Sequence, residues 1–253
     1  LNYFKLGRNP GPAPKLKFGA VFSSPALPTV PKSFGRPQLV RSYGMLGNAD
    51  WGDCVFAGAS HETMLLCAEA GRLIPSFTAA NALSDYAAVT GFAYTPDTDR
   101  GTIVADAMKY RQATGVVDVT GARHKIDAYA SITPGNLNQI GLATYLFGVS
   151  GIGVMLPSSA EEQFIHGVPW DVIPGDSEIS GHYIPCCGRN SGGMWLFITW
   201  GRIQAATSRW VQKYMVEGVA LISLEILNAK GVSPHDYDLA TLQQYLKEVQ
   251  TTP

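Results

Sequence analysis

The chain has 253 residues, of which 46% are hydrophobic and 15% charged, and it carries one net negative charge. That length and apolar content support a sizeable core, as one large domain or two lobes. A near-neutral balance argues against nucleic acid or an anionic membrane surface as partner, and no apolar run reaches the roughly 20 residues that span a bilayer.

Seven of the sixteen prolines lie in residues 1–41. This composition predicts an extended arm, draped over a body or reaching to a partner. The first residues, LNYFKLGRNPGPAPKLKFG, hold no apolar signal-like core, although a mature chain would have lost one. Location stays open: a cytoplasm or a virion fits, as does any setting where free thiols survive.

Residues 53–70 read as a helix, capped by Asp53 or Asp50 and stopped at Gly71. Its inward positions, Cys54, Ala57, Gly58 and Leu65, are small or apolar, which predicts a central helix. Residues 78–90 read as a second helix ending at Gly91. Residues 101–115 read as a third, with Ile103, Ala107 and Tyr110 at helical spacing.

The texture then changes. HKIDAYASI alternates like a strand, NLNQIGLATYLFG reads as a short helix and GIGVMLP as a β run. GHYIPCCGRN and GGMWLFITWG are two apolar strands joined by an Asn-Ser-Gly-Gly turn, a hairpin signal. VEGVALISLEIL gives another strand, and residues 238–249 an amphipathic helix capped by Asp238. Helices first and strands second predict an α+β chain with two lobes. The boundaries read as an arm at 1–41, a helical lobe at 42–122, a β-rich lobe at 123–228 and a tail helix at 229–253.

The four cysteines, Cys54, Cys67, Cys186 and Cys187, form no CxxC and no zinc-ligand pattern with histidine. No structural disulfide, metal or cofactor is expected. Cys186 and Cys187 read as core strand residues.

Cys54 is different, because GNADWGDC places it where a helix begins. The positive end of a helix dipole favours the thiolate, which is the nucleophilic form. A nucleophilic thiol also needs a base within reach. His61 lies seven residues along the same helix, roughly 10 Å away and too far for a direct bond. His124, His166 and His235 sit in turn-like, polar contexts. His182 follows Gly181 at the start of an apolar strand, where a rigid element can present it. The bland alternative is a buried structural thiol.

The pairing of GDCVFA with GHYIPCCG and then FITWG resembles the papain-like cysteine peptidases, in particular divergent members from bacteria and their phages. His182 follows Cys54 by 128 residues, close to the spacing of roughly 130–150 known for that family. About residues 27–225 can be laid on the papain plan. The resemblance implies a two-lobed α+β fold, with a helical N-terminal lobe and an antiparallel β-sheet or barrel. It implies Cys54 as nucleophile, His182 as base and Asn48 at the oxyanion-hole position. Gly52 matches the family's glycine, and Trp51, Asp53, Gly181 and Trp200 would line or shield the cleft. GTIVADAMKYRQATG matches the family's glycine-rich helix with its inward tyrosine.

Some positions depart from the family. Val55 stands where the family has tryptophan, and Trp51 where it has a half-cystine. Ile198 stands where it has the orienting asparagine, leaving that role to Asn190 or a backbone carbonyl. Two functions follow. One is a thiol hydrolase acting on a peptide-like substrate, a cell-wall crosslink included. The other is an inactive papain-like module for structure or binding, for example a virion component, with protein partners met through the arm and the terminal helix.

Overall fold

The computed structural model describes residues 3–22, 27–234 and the single positions 240, 241, 244 and 247. The terminal helix expected over 238–249, with its Asp238 cap, and His235 lie wholly or mostly outside the described residues. The arm contributes a two-residue strand, β1 (Arg8–Asn9), and one helical turn, α1 (Phe18–Val21). Proline lacks an N–H and fixes φ, so the intervening residues, with Pro10, Pro12 and Pro14, build no ladder.

Helix α2 (Cys54–Glu69) is buried on nearly every face. A helix covered all round is a central one. Its polar Ser60 and Thr63 return their hydroxyls to the carbonyls of Phe56 and Ala59, at 3.1 and 2.9 Å. Asp53 stands at the N-cap, but its side chain makes no capping bond, contrary to the sequence expectation. Helix α3 (Ala79–Thr90) starts at a Thr78–Asn81 capping box and stops at Gly91, whose φ is +75°.

The third helix begins later than expected. Residues Thr102–Ile103 form strand β2 against the arm, and α4 runs Val104–Ala113. Two short strands follow, β3 (Val116–Val117) and β4 (Arg123–His124), paired antiparallel. The segment HKIDAYASI therefore divides between β4 and β5 (Ala128–Ile132), and only β5 keeps a strict inward–outward alternation.

Helix α5 (Leu137–Phe147) leads to β6 (Ser150–Pro157), α6 (Ser159–Ile165) and the long β7 (Glu178–Arg189). The expected hairpin joins β7 to β8 (Trp195–Thr199), followed by β9 (Arg202–Ala206), α7 (Ser208–Tyr214) and β10 (Met215–Ile222). Helices α6 and α7 and strand β9 carry no sequence signal strong enough to be expected. The six long strands form one antiparallel sheet in the order β5-β10-β6-β7-β8-β9.

Helix α2 packs on β7 at its small face. A methyl group at Gly58 would lie 2.7 Å from the Tyr183 ring. The same seam holds a buried polar pin: Glu62 of α2 accepts from Tyr183 Oη at 2.7 Å and pairs with Arg111 of α4. Burial raises the Glu62 pKa and Arg111 opposes that rise. The helical residues are thereby tied to the sheet at the level of the site.

Candidate active site between helix α2 and strand β7

Cys54 opens α2 and is 1% exposed. Backbone N–H groups of Tyr183 and Gly7 face its sulfur and favour the thiolate. Burial outweighs them and pushes the thiol up to about 12. The ionised thiol expected at this helix start is therefore not favoured, because desolvation dominates.

His182 lies on β7, one residue before the Tyr183 amide that faces Cys54. It is 0% exposed, and burial lowers its pKa to about 3. Its Nε2 shares a 2.8 Å hydrogen bond with Thr199 Oγ1, and its ring stacks on Trp200 at 4.8 Å and 18°. Nδ1 has no hydrogen-bond partner among the described residues. With Nε2–H donating to the hydroxyl, the free electron pair is on Nδ1, the form a general base needs.

Thr199 was missed in the sequence, where the orienting position falls on Ile198. Ile198 is core, paired in register with Ile203. The alternation of β8 ends at Thr199, because Trp200 takes φ +45° and Gly201 φ +73°. Left-handed backbone is rare for a bulky residue. It turns the Trp200 ring onto His182 beside Thr199, instead of leaving it on the face of Ile198. Asn190 does not orient the histidine, since its Oδ1 accepts from Met194 N in the hairpin turn at 3.0 Å.

Asn48 is buried near the start of α2, and its Nδ2 donates to the carbonyls of Lys5 and Trp51 at 3.3 and 3.2 Å. Gly52 N–H donates to Asp99 at 3.0 Å. Trp51 packs edge-on against Phe92 at 4.9 Å. Asp53 is fully buried, and neither carboxylate oxygen has a hydrogen-bond partner among the described residues. Burial first, then repulsion from Asp99, raises its pKa well above the ordinary carboxylate value, which favours the neutral acid.

The remaining histidines do other work. His61 Nε2 meets the Gly44 carbonyl at 2.9 Å, and burial lowers its pKa to about 4. His124 bridges Glu225 and Asp118 at 2.7 and 3.3 Å, and His166 is exposed.

The arm is not merely draped over the surface. Residues 3–9 run through the groove over Cys54. Tyr3 N donates to Glu161 at 2.9 Å, and Phe4 stacks on Trp200 at 4.4 Å. Gly7 O accepts from Thr102 N at 2.6 Å, and β1 pairs parallel with β2, Arg8 opposite Thr102. Glycines make the trench: a methyl on Gly181 would lie 2.1 Å from Arg8 O, and one on Gly101 2.3 Å from Gly7 O. Gly7 itself fits only because it has no side chain, since a methyl there would lie 1.8 Å from Gly52 O.

All four cysteines are free. Among the described residues no cluster of His, Cys, Asp or Glu could hold a metal ion, and no helix is long and apolar enough to cross a membrane.

No family model matches the sequence, and no curated protein matches it. Solved structures do. Xylellain, a cysteine protease from Xylella fastidiosa, superposes with a TM-score of 0.62 at 11% identity, over 87% of this chain and 97% of that one. The recombinant stem bromelain precursor gives 0.57 at 14%, over 87% and 77%. Digestive procathepsin L 3 from the Tenebrio molitor larval midgut gives 0.55 at 12%, over 84% and 75%. The α+β fold of this chain, with its six-stranded antiparallel sheet, is that of the papain-like cysteine proteases.

Proposed function

We propose that the chain is a papain-like thiol hydrolase of peptide or amide bonds, held latent by its own N-terminal segment. The observation that carries this reading is the setting of His182. It is held by Thr199 and Trp200, its Nδ1 has no partner among the described residues, and it adjoins the amide that faces the Cys54 sulfur. An ordinary core histidine would satisfy both ring nitrogens.

In this reading residues 42–122 and 123–228 are the two lobes, and a peptide-like substrate lies between them. With the arm withdrawn, water reaches the site and the desolvation that keeps thiol and imidazole neutral is relieved. The thiol proton passes to His182 Nδ1, and the Cys54 thiolate attacks the carbonyl carbon. His182 then protonates the leaving amine, and water releases the acyl group from the sulfur. The Cys54 N–H and Asn48 Nδ2 receive the oxyanion; Asn48 already donates to an acyl oxygen, that of Lys5. Trp200 shields the imidazole.

Gly7→Ala tests this in the full chain, because the added methyl cannot fit against Gly52. Peptide hydrolysis should appear in Gly7→Ala and vanish in Gly7→Ala with Cys54→Ala. Hydrolysis that survives loss of Cys54 would refute the reading.

The full burial of Cys54 favours a second reading, in which the arm is a permanent part of the fold and the chain is a binding or assembly module. In that case Gly7→Ala would destabilise the protein and release no activity.

A further inference from the structure

Most of what holds the arm in the trench is indifferent to sequence. Gly7 O, Lys5 O and Lys5 N are backbone groups, and the glycine walls contact backbone. Phe4 and Asn9 add a ring stack on Trp200 and a side-chain hydrogen bond to the Arg100 carbonyl, and Arg8 is the one charged side chain of residues 3–9 that is buried. Its side chain is 5% exposed, with Nε on Glu217 Oε1 and Nη1 3.9 Å from Met155 Sδ.

The pocket belongs to the sheet. Glu217 comes from β10, Met155 and Gly153 from β6, and Gly181 from β7. Gly153 makes the room: a methyl there would lie 2.5 Å from Glu217 Cγ and 3.1 Å from Arg8 Nε. The Glu217 side chain is 12% exposed, and Arg8 is its only hydrogen-bond or ion-pair partner among the described residues. This contrasts with Glu62, which the body of the protein pairs with Arg111 and Tyr183. A buried carboxylate is strongly destabilising once its partner is removed. Here the body supplies the carboxylate and the N-terminal segment supplies the cation.

We propose that this pocket, floored by Glu217, is the specificity site of the cleft, and that the peptide which replaces the arm carries an arginine side chain into it. That the incoming peptide is a substrate rests on the hydrolase reading; the guanidinium site does not. Arginine is selected over lysine because the bond to Glu217 is made by Nε, a donor set part-way along the side chain that lysine lacks. An acidic side chain would bring a second carboxylate against Glu217 and is excluded.

The test uses the full chain with Arg8→Ala, which vacates the space of an ethylguanidine molecule, and titrates it by calorimetry with ethylguanidine, ethylammonium and neutral N-ethylurea. Ethylguanidine should saturate one site and bind at least about tenfold more tightly than N-ethylurea, as expected for a charge-assisted hydrogen bond. The preference should vanish in Arg8→Ala with Glu217→Gln. Arg8→Ser is the second variant. A chain that melts too low to titrate is read by its Tm, which ethylguanidine should raise and N-ethylurea should not. Equal binding of the two, or no saturable binding of ethylguanidine, would overturn the proposal. Cys54 reactivity plays no part in these titrations, so an inert thiol would refute the hydrolase reading alone.

Discussion

His182 and Thr199 are joined by a 2.8 Å hydrogen bond at the end of β8, which leaves Nδ1 as the ring nitrogen with no partner among the described residues. In the proposed site a hydroxyl stands in for the carboxamide of the papain-like pattern. It can accept the Nε2 proton and so fix the tautomer that leaves Nδ1 basic.

Replacing Thr199 with Val keeps the shape and removes the acceptor. In a Gly7→Ala background, Thr199→Val should lower kcat by about 10²- to 10⁴-fold, the range spanned by loss of general-base function. Thr199→Ser should retain most of the rate. Steady-state kinetics on a peptide substrate checks the pair, and an unchanged kcat in Thr199→Val would remove the hydroxyl from the account.

The Arg111–Glu62 pair is buried to within 1% on both sides and ties α4, α2 and β7 together. Arg111→Met leaves the Glu62 carboxylate without its cation and should cost about 3–5 kcal/mol in urea unfolding. Tyr183→Phe removes one hydrogen bond to the same carboxylate and should cost about 1–3 kcal/mol. Effects under about 0.5 kcal/mol for both would show that the pin contributes little to the seam.

The carboxyl of Glu69 is pushed up to about 7, first by burial, with the Arg36 N–H and Arg36 charge opposing. Its folded pKa lies above the unfolded value near 4.5, so the folded state binds more protons between those values. Stability from this group is full below about pH 4.5 and is lost as pH rises through 7. Glu69→Gln removes that loss. Relative to the parent, its stability should rise by up to about 3 kcal/mol between pH 4.5 and pH 8, at 1.36 kcal/mol per pKa unit. Denaturant melts at the two pH values check the sign.

The elements that position Cys54 were legible in the sequence because local signals agree there. GDC runs into a helix of small residues, Thr78 and Gly91 bound α3, and an Asn-Ser-Gly-Gly turn separates two apolar runs. Thr199 was not legible, because period-two reasoning assumes an extended backbone through Trp200, and the chain turns left-handed there. The arm's place was hidden for another reason. RNPGPAP has the composition of a surface strand, and what seats it is a set of glycines distant in sequence: Gly52, Gly101, Gly153 and Gly181. The arm's Gly7 faces the Cys54 sulfur from a distance no local pattern reports, so the pKa shifts at the site were equally out of reach.

Whether the arm masks a competent thiol–imidazole pair is read from the rate of Cys54 alkylation with iodoacetamide as a function of pH. Peptide mapping identifies the labelled site in the parent chain, Gly7→Ala, and Gly7→Ala with His182→Ala. With the arm seated, the thiol lies up at about 12 and the imidazole down at about 3, so labelling of the parent should be slow through neutral pH. In Gly7→Ala it should be fast and persist well below pH 7, and removal of His182 should abolish that acid-side reactivity. If Cys54 in Gly7→Ala labels only as pH approaches the free-thiol value of about 8.5, with or without His182, the pair is not a catalytic one.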